Sequence, residues 1–137
     1  MNTEEKDKFE EMARKCAEWT WDLKALNTIV IDLRGKVSYT DFIIITTGNS
    51  ERHVRSIALH VEGQMKQHFG TIAYGKEGVA FGRWALVDFG DLLLHVFNGP
   101  MREEYDLERM WPDAPRLGFE DSPKELYGHF EMQAFEN

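Results

Sequence analysis

Trp84-Ala85-Leu86-Val87-Asp88-Phe89-Gly90-Asp91-Leu92-Leu93-Leu94-His95-Val96-Phe97 reads as one β-hairpin with two unlike faces. Two apolar runs flank Gly90-Asp91, and glycine supplies the positive φ that a two-residue turn needs at its first central position. That turn sets the register. Phe89 pairs with Leu92, Val87 with Leu94 and Ala85 with Val96, a wholly apolar face. The other face pairs Trp84 with Phe97, Leu86 with His95 and Asp88 with Leu93. Large aromatics, leucines, one acid and one histidine make a mixture foreign to a dry core and ordinary on a protein-binding surface. The hairpin therefore points to a docking module ahead of an enzyme.

Outward from the hairpin, the spacing predicts a helix over residues 3–26, with Phe9, Met12, Ala13, Cys16, Leu23 and Leu26 on one stripe and a capping arrangement of Asn2 with Glu5. Strands are expected at Thr28–Leu33 and Phe42–Thr47; the second is apolar without alternation, as in a central strand covered on both faces. Val54, Ile57, Ala58, Val61, Met65 and Phe69 give the clearest helix, from Ser50 to Phe69, capped by Asn49 or Ser50 and ended by Gly70. A weak strand is expected at Thr71–Tyr74, a glycine-bearing loop at 75–82, and, after Asn98-Gly99-Pro100, a short helical stretch through Met110. Pro112 and Pro115 then break regular structure, and 116–137 reads as an acidic extension with room for a brief helix. The order α-β-β-α-β-β-β-α predicts an α+β fold, a mixed sandwich of one mixed sheet of about five strands flanked by helices.

A chain of 137 residues with 42% hydrophobic and 12% aromatic content is one globular domain. No apolar run is long enough to span a bilayer, and the acidic N-terminus has neither a signal-peptide core nor a transit pattern. With Cys16 alone there is no internal disulfide, which suits a reducing, cytoplasmic setting. Ten of the 24 acids but only three of the 16 bases lie from Glu103 onward, so that quarter carries nearly all of the net charge of −8. Such a balance disfavours a protein that grips phosphate backbones and suits a basic partner.

Enzymatic signatures are weak. Asp88-Phe89-Gly90 spells the kinase magnesium motif, but no glycine-rich loop, paired lysine or HRD-type loop accompanies it. Gly48-Asn49-Ser50, between a strand and a helix, is the kind of turn that nucleotidyltransferases use to hold phosphate. Those enzymes also set two carboxylates side by side for metal, whereas Asp88 and Asp91 straddle a turn and Asp32 and Asp41 lie on different segments. A helix cap is the better reading of the turn, and a minimal metal-dependent nucleotidyltransferase remains the alternative. His53, His60 and His68 lack ligand spacing, and Cys16 lacks a histidine neighbour, so no metal and no cofactor are expected. Tyr105 and Trp111 bear polar atoms that want partners, and they fit two readings equally: an extension of the aromatic surface begun by Trp84 and Phe97, or aromatics of a C-terminal helix that close the core.

Asp32-Leu33-Arg34, Asp41-Phe42, Thr47-Gly48-Asn49-Ser50, Glu77-Gly78, Trp84 through Asp91, His95-Val96-Phe97 and Tyr105 through Trp111 occur in the order seen in the ribosomal silencing factor (Iojap) family, which the chain resembles from about Leu26 to Pro115. The resemblance implies a non-enzymatic factor on the large ribosomal subunit. It would dock on the L-fourteen ribosomal protein and block joining of the small subunit, damping translation in scarcity or guarding subunit assembly. It also implies a nucleotidyltransferase-like fold without the catalytic carboxylates, and it admits a homodimer. Carried over by position, the docking residues are Trp84, Leu86, Asp88, His95 and Phe97, with Tyr105 and Trp111 beside them. Phe42 and Phe89 stand where many relatives carry tyrosine. Residues 1–115 are expected to form the family domain, and 116–137 an extension beyond it.

Overall fold

The computed structural model describes residues 3–118, with side chains from Lys8 on. The chain runs α1 (Thr3–Asp22), β1 (Leu26–Asp32), β2 (Phe42–Gly48), α2 (Glu51–Phe69), β3 (Gly75–Glu77), β4 (Trp84–Asp88), β5 (Leu92–Asn98), α3 (Gly99–Tyr105) and a 3-10 turn at Leu107–Met110. The five strands make one mixed sheet in the order β1-β2-β5-β4-β3. Only β2 and β5 pair in parallel; the other pairs are antiparallel.

Burial follows from this order. Every residue of β2 is buried, because helices cover one face of it and the chain after β5 covers the other. On the first face, α1 and α2 pack over Val30, Phe42, Ile44, Ala85, Val87, Leu92, Leu94 and Val96. On the second, α3, the 3-10 turn and Trp111 close over Ile31, Leu33, Ile43, Ile45 and Phe97. Asn98 starts α3 by accepting from the Met101 amide, and Pro100 in the first turn costs no hydrogen bond there. Asp106 takes a left-handed φ of 43°, which breaks the expected single helix into α3 and the turn.

Three boundaries differ from expectation. The first helix stops at Asp22 rather than continuing to residue 26: Lys24 turns to a φ of 60°, and Leu26 already belongs to β1. The third strand lies at 75–77, inside the expected loop. Its pairing is set by β4, with Gly75 opposite Asp88 and Glu77 opposite Leu86, and the Tyr74 amide donating to the Asp88 carbonyl leads into it. Residues 115–117 close the β1 edge, with the Asp32 amide on the Pro115 carbonyl at 2.8 Å and the Leu117 amide on the Val30 carbonyl at 3.0 Å. This pairing runs straight across the expected boundary at 115/116. The Asn2–Glu5 cap and the brief helix anticipated in the extension lie outside the described residues. Among the described residues, no helix is long and apolar enough to cross a membrane.

Candidate docking surface

The hairpin forms in the register expected of it. Trp84 pairs with Phe97, Leu86 with His95, Val87 with Leu94 and Asp88 with Leu93, and Gly90 turns at a φ of 86°. Asp88 stiffens the turn by accepting the Gly90 amide on Oδ1 at 2.7 Å. The apolar set (Ala85, Val87, Phe89, Leu92, Leu94, Val96) is buried under the helices.

The other set lies on the second face, where α3 reaches β4 through Tyr105 against Trp84. Trp84 is the hub there. Its indole stacks on Phe97 with ring centres 4.8 Å apart, Tyr105 lies at 4.7 Å, and Nε1 donates to Nδ1 of His95 at 3.0 Å. Because Nδ1 accepts, the His95 proton sits on Nε2. Burial pushes the His95 pKa down to about 4, so the ring is neutral at physiological pH.

Burial sorts the expected contact residues. Trp84, Leu86 and Asp88 are half-buried and Tyr105 is exposed, so all four can meet a partner. Phe97 is fully buried and has no surface to offer; it is the floor beneath Trp84. His95, 8% exposed, is chiefly a support for the indole. Trp111 is half-buried, like Trp84, and packs against the same second cluster of the core. Sequence reasoning passed over Gly75 and named Glu77 only within a family motif; β3 adds both to the same face, opposite Asp88 and Leu86. Their signal was slight: one glycine and one acid in an apparent loop.

The loop before the hairpin is fixed by two glycines. Gly78 has a φ of 73°, and a Cβ there would lie 2.0 Å from the Trp84 carbonyl oxygen. Gly82 has a φ of 69°, and its Cβ would lie 2.3 Å from the Glu51 carbonyl oxygen. Only glycine lets the loop pass this close to the Trp84 carbonyl at one point and to the start of α2 at the other.

The other candidates resolve as structural parts. At the 48–50 turn, Ser50 Oγ accepts the His53 amide at 3.0 Å, and the Asn49 amide donates to His53 Nδ1 at 2.9 Å. These two amides are used in capping α2. The helix histidines face α1 and the turn after it: His53 reaches the Leu23 carbonyl, His60 reaches Asp22, and the His68 ring lies tilted against Trp19 at 5.3 Å. Among the described residues, no group of three or more His, Cys, Asp or Glu is placed to hold a metal ion. Cys16 is fully buried, which pushes its thiol pKa far above the usual range. Near the sheet end, Asp32 binds Arg34 through both oxygens at 2.9 and 2.6 Å. Burial raises the Asp32 pKa, but the bonds to Arg34 outweigh it and leave the group below its ordinary value. Asp41 moves the other way, raised first by burial and then by Asp91.

Known proteins place this geometry in a family. A sequence model of the family described as "Ribosomal silencing factor during starvation" matches residues 6–134, beyond the span expected for the family domain. The ribosomal silencing factor of Halalkalibacterium halodurans is 37% identical over 72% of this chain and 84% of its own length. A mouse protein named for mitochondrial assembly of the ribosomal large subunit is 33% identical over 64% of this chain and 39% of its own. A crystal structure of a Chromobacterium violaceum protein superposes with a TM-score of 0.73 at 31% identity, covering 82% of this chain and 92% of that one. The chain belongs to the ribosomal silencing factor family.

Proposed function

We propose that this protein silences ribosomes by docking the open part of its second sheet face on the large subunit, at the L-fourteen ribosomal protein, where its bulk keeps the small subunit from joining. The observation that carries this reading is the Trp84 hub. A large aromatic, half-buried and braced by Phe97, Tyr105 and His95, lies beside an apolar Leu86 and an acidic Asp88. Preorganised aromatic anchors of this kind concentrate binding energy, and an adjacent acid selects a basic partner surface. The names of the bacterial relative and of the mouse relative, which refers to the large subunit, support a ribosomal partner. The reading asks for no catalysis, since an obstacle need only stay bound.

Sedimentation of purified subunits on sucrose gradients tests it, with wild-type protein, Leu86→Arg and Asp88→Asn. The asparagine retains the oxygen that accepts the Gly90 amide, so the turn survives while the charge is lost. Wild-type protein is expected to travel with large subunits and suppress joining, and both variants to do so less. Subunits that join normally in its presence would overturn the proposal.

A further inference from the structure

We infer that the depression between β3 and β4 receives one lysine or arginine side chain of the protein that docks on this face; the inference rests on the docking reading above. Cross-strand pairing sets Gly75 opposite Asp88 and Glu77 opposite Leu86, so the pleat turns these four residues to the second face together. With Lys76 they line about 130 Å³ of open space, well above the ~30 Å³ share of one water in the liquid.

Gly75 is the reason the space is open. Unlike Gly35, Gly70, Gly78, Gly82 and Gly90, it does not have a positive φ. A Cβ built on it meets nothing within 4 Å. Neither backbone conformation nor packing therefore requires glycine there, and a strand would gain from a β-branched residue. Opposite Asp88, the missing side chain leaves a slot that the described chain does not fill.

The walls define the occupant. Leu86, half-buried, offers an apolar side along which a methylene stem can lie. Glu77 is exposed at one end, and at the other Asp88 commits Oδ1 to the Gly90 amide, leaving Oδ2 for a partner. The one cation of the strand does not neutralise them: the pleat sends Lys76 to the opposite face, where Nζ bonds Glu62 of α2 at 3.0 Å. An apolar wall ending in two carboxylates fits a long-stemmed cation and repels a nucleic-acid phosphate. The slot also lies on the same strand as Trp84, so a single partner can fill it and cover the indole.

The test uses the full chain and purified large ribosomal subunits, with cosedimentation at low and at raised salt. Gly75→Val should weaken binding tenfold or more while its melting temperature equals or exceeds that of wild type. Glu77→Gln should weaken binding several-fold and flatten its salt dependence, since an exposed charge pair is screened by salt. If Gly75→Val binds as well as wild type while Trp84→Ala does not bind, the slot is unused and the docking reading survives alone. If wild-type protein fails to sediment with the subunits, both are overturned.

Discussion

Trp84 Nε1 donates to His95 Nδ1 across 3.0 Å, one strand to the next, and this single bond fixes both the indole orientation and the imidazole tautomer. Burial has already lowered the His95 pKa from 6.5 to about 4, so folding favours the neutral ring. The stability this contributes is complete above about pH 6.5, where the unfolded histidine is neutral too. It is lost as pH falls toward 4, because the unfolded chain takes up the proton first. The loss amounts to on the order of 3 kcal/mol for a shift of this size. Urea titrations of wild type and His95→Asn, whose side-chain oxygen can still accept from Trp84, should therefore converge in stability as pH is lowered through this window. Curves that stay parallel from pH 7 to 4 would remove His95 as the source.

If Trp84 is the central anchor, Trp84→Ala should cost on the order of 2 kcal/mol or more in binding to large subunits, a loss of roughly thirtyfold. Trp84→Phe keeps a ring over Phe97 but gives up the bond to His95, and should fall between alanine and wild type. Equal affinities for all three, each shown folded by circular dichroism, would move the anchor elsewhere.

How much of this was legible in the sequence depends on what set each element. The hairpin was readable because its alternation and its turn glycine are local. β2 was readable because an unbroken apolar run demands cover on both faces. The helix from Glu51 was readable because Ser50 and Gly70 mark its two ends, and both caps form. The end of α1 was not: Leu23 and Leu26 keep helical spacing, while the left-handed turns at Lys24 and Asn27 use residues that do not announce them. The third strand was misplaced because Thr71–Tyr74 has the better composition, whereas pairing to Asp88 and Leu86 chose Gly75–Glu77. At the site, the register told which residues share a face. It did not tell which would be covered, since the burial of Phe97 depends on where residues 99–111 fold back.

Gly78 and Gly70 both have a positive φ, yet they should respond differently to alanine. At Gly70, the C-cap of α2, nothing lies within 4 Å of a Cβ, so only the conformational cost of about 1–2 kcal/mol applies. At Gly78 the same cost is joined by a collision with the Trp84 carbonyl at 2.0 Å, and backbone must move to relieve it. Gly78→Ala should be the more destabilising in urea unfolding, and the Trp84 fluorescence environment should change with it. Equal losses at the two positions would mean that the loop yields without disturbing Trp84.

Arg102 was invisible as a core residue because its charge argues for solvent, yet it is 5% exposed. Asn27, turned to a φ of 54° at the irregular start of β1, accepts from Arg102 Nη1 through its carbonyl, as does Thr47 Oγ1 at 2.9 Å, and Glu108 lies 3.5 Å from Nε. One guanidinium thus ties α3 and the 3-10 turn to β1 and β2, and with them the cover over Phe97. Removing it leaves the Asn27 carbonyl without this donor and a partly buried Glu108 without its cation, and losses of a buried ion-pair member run to about 3–5 kcal/mol. Arg102→Ala should therefore unfold at markedly lower urea, and Tyr105 should lose its place beside Trp84. Glu108→Gln removes only the charge and should cost less. If Arg102→Ala matched wild type in stability, the segment after β5 would be held by its apolar contacts alone, and Trp84 would owe its setting to the hairpin rather than to α3.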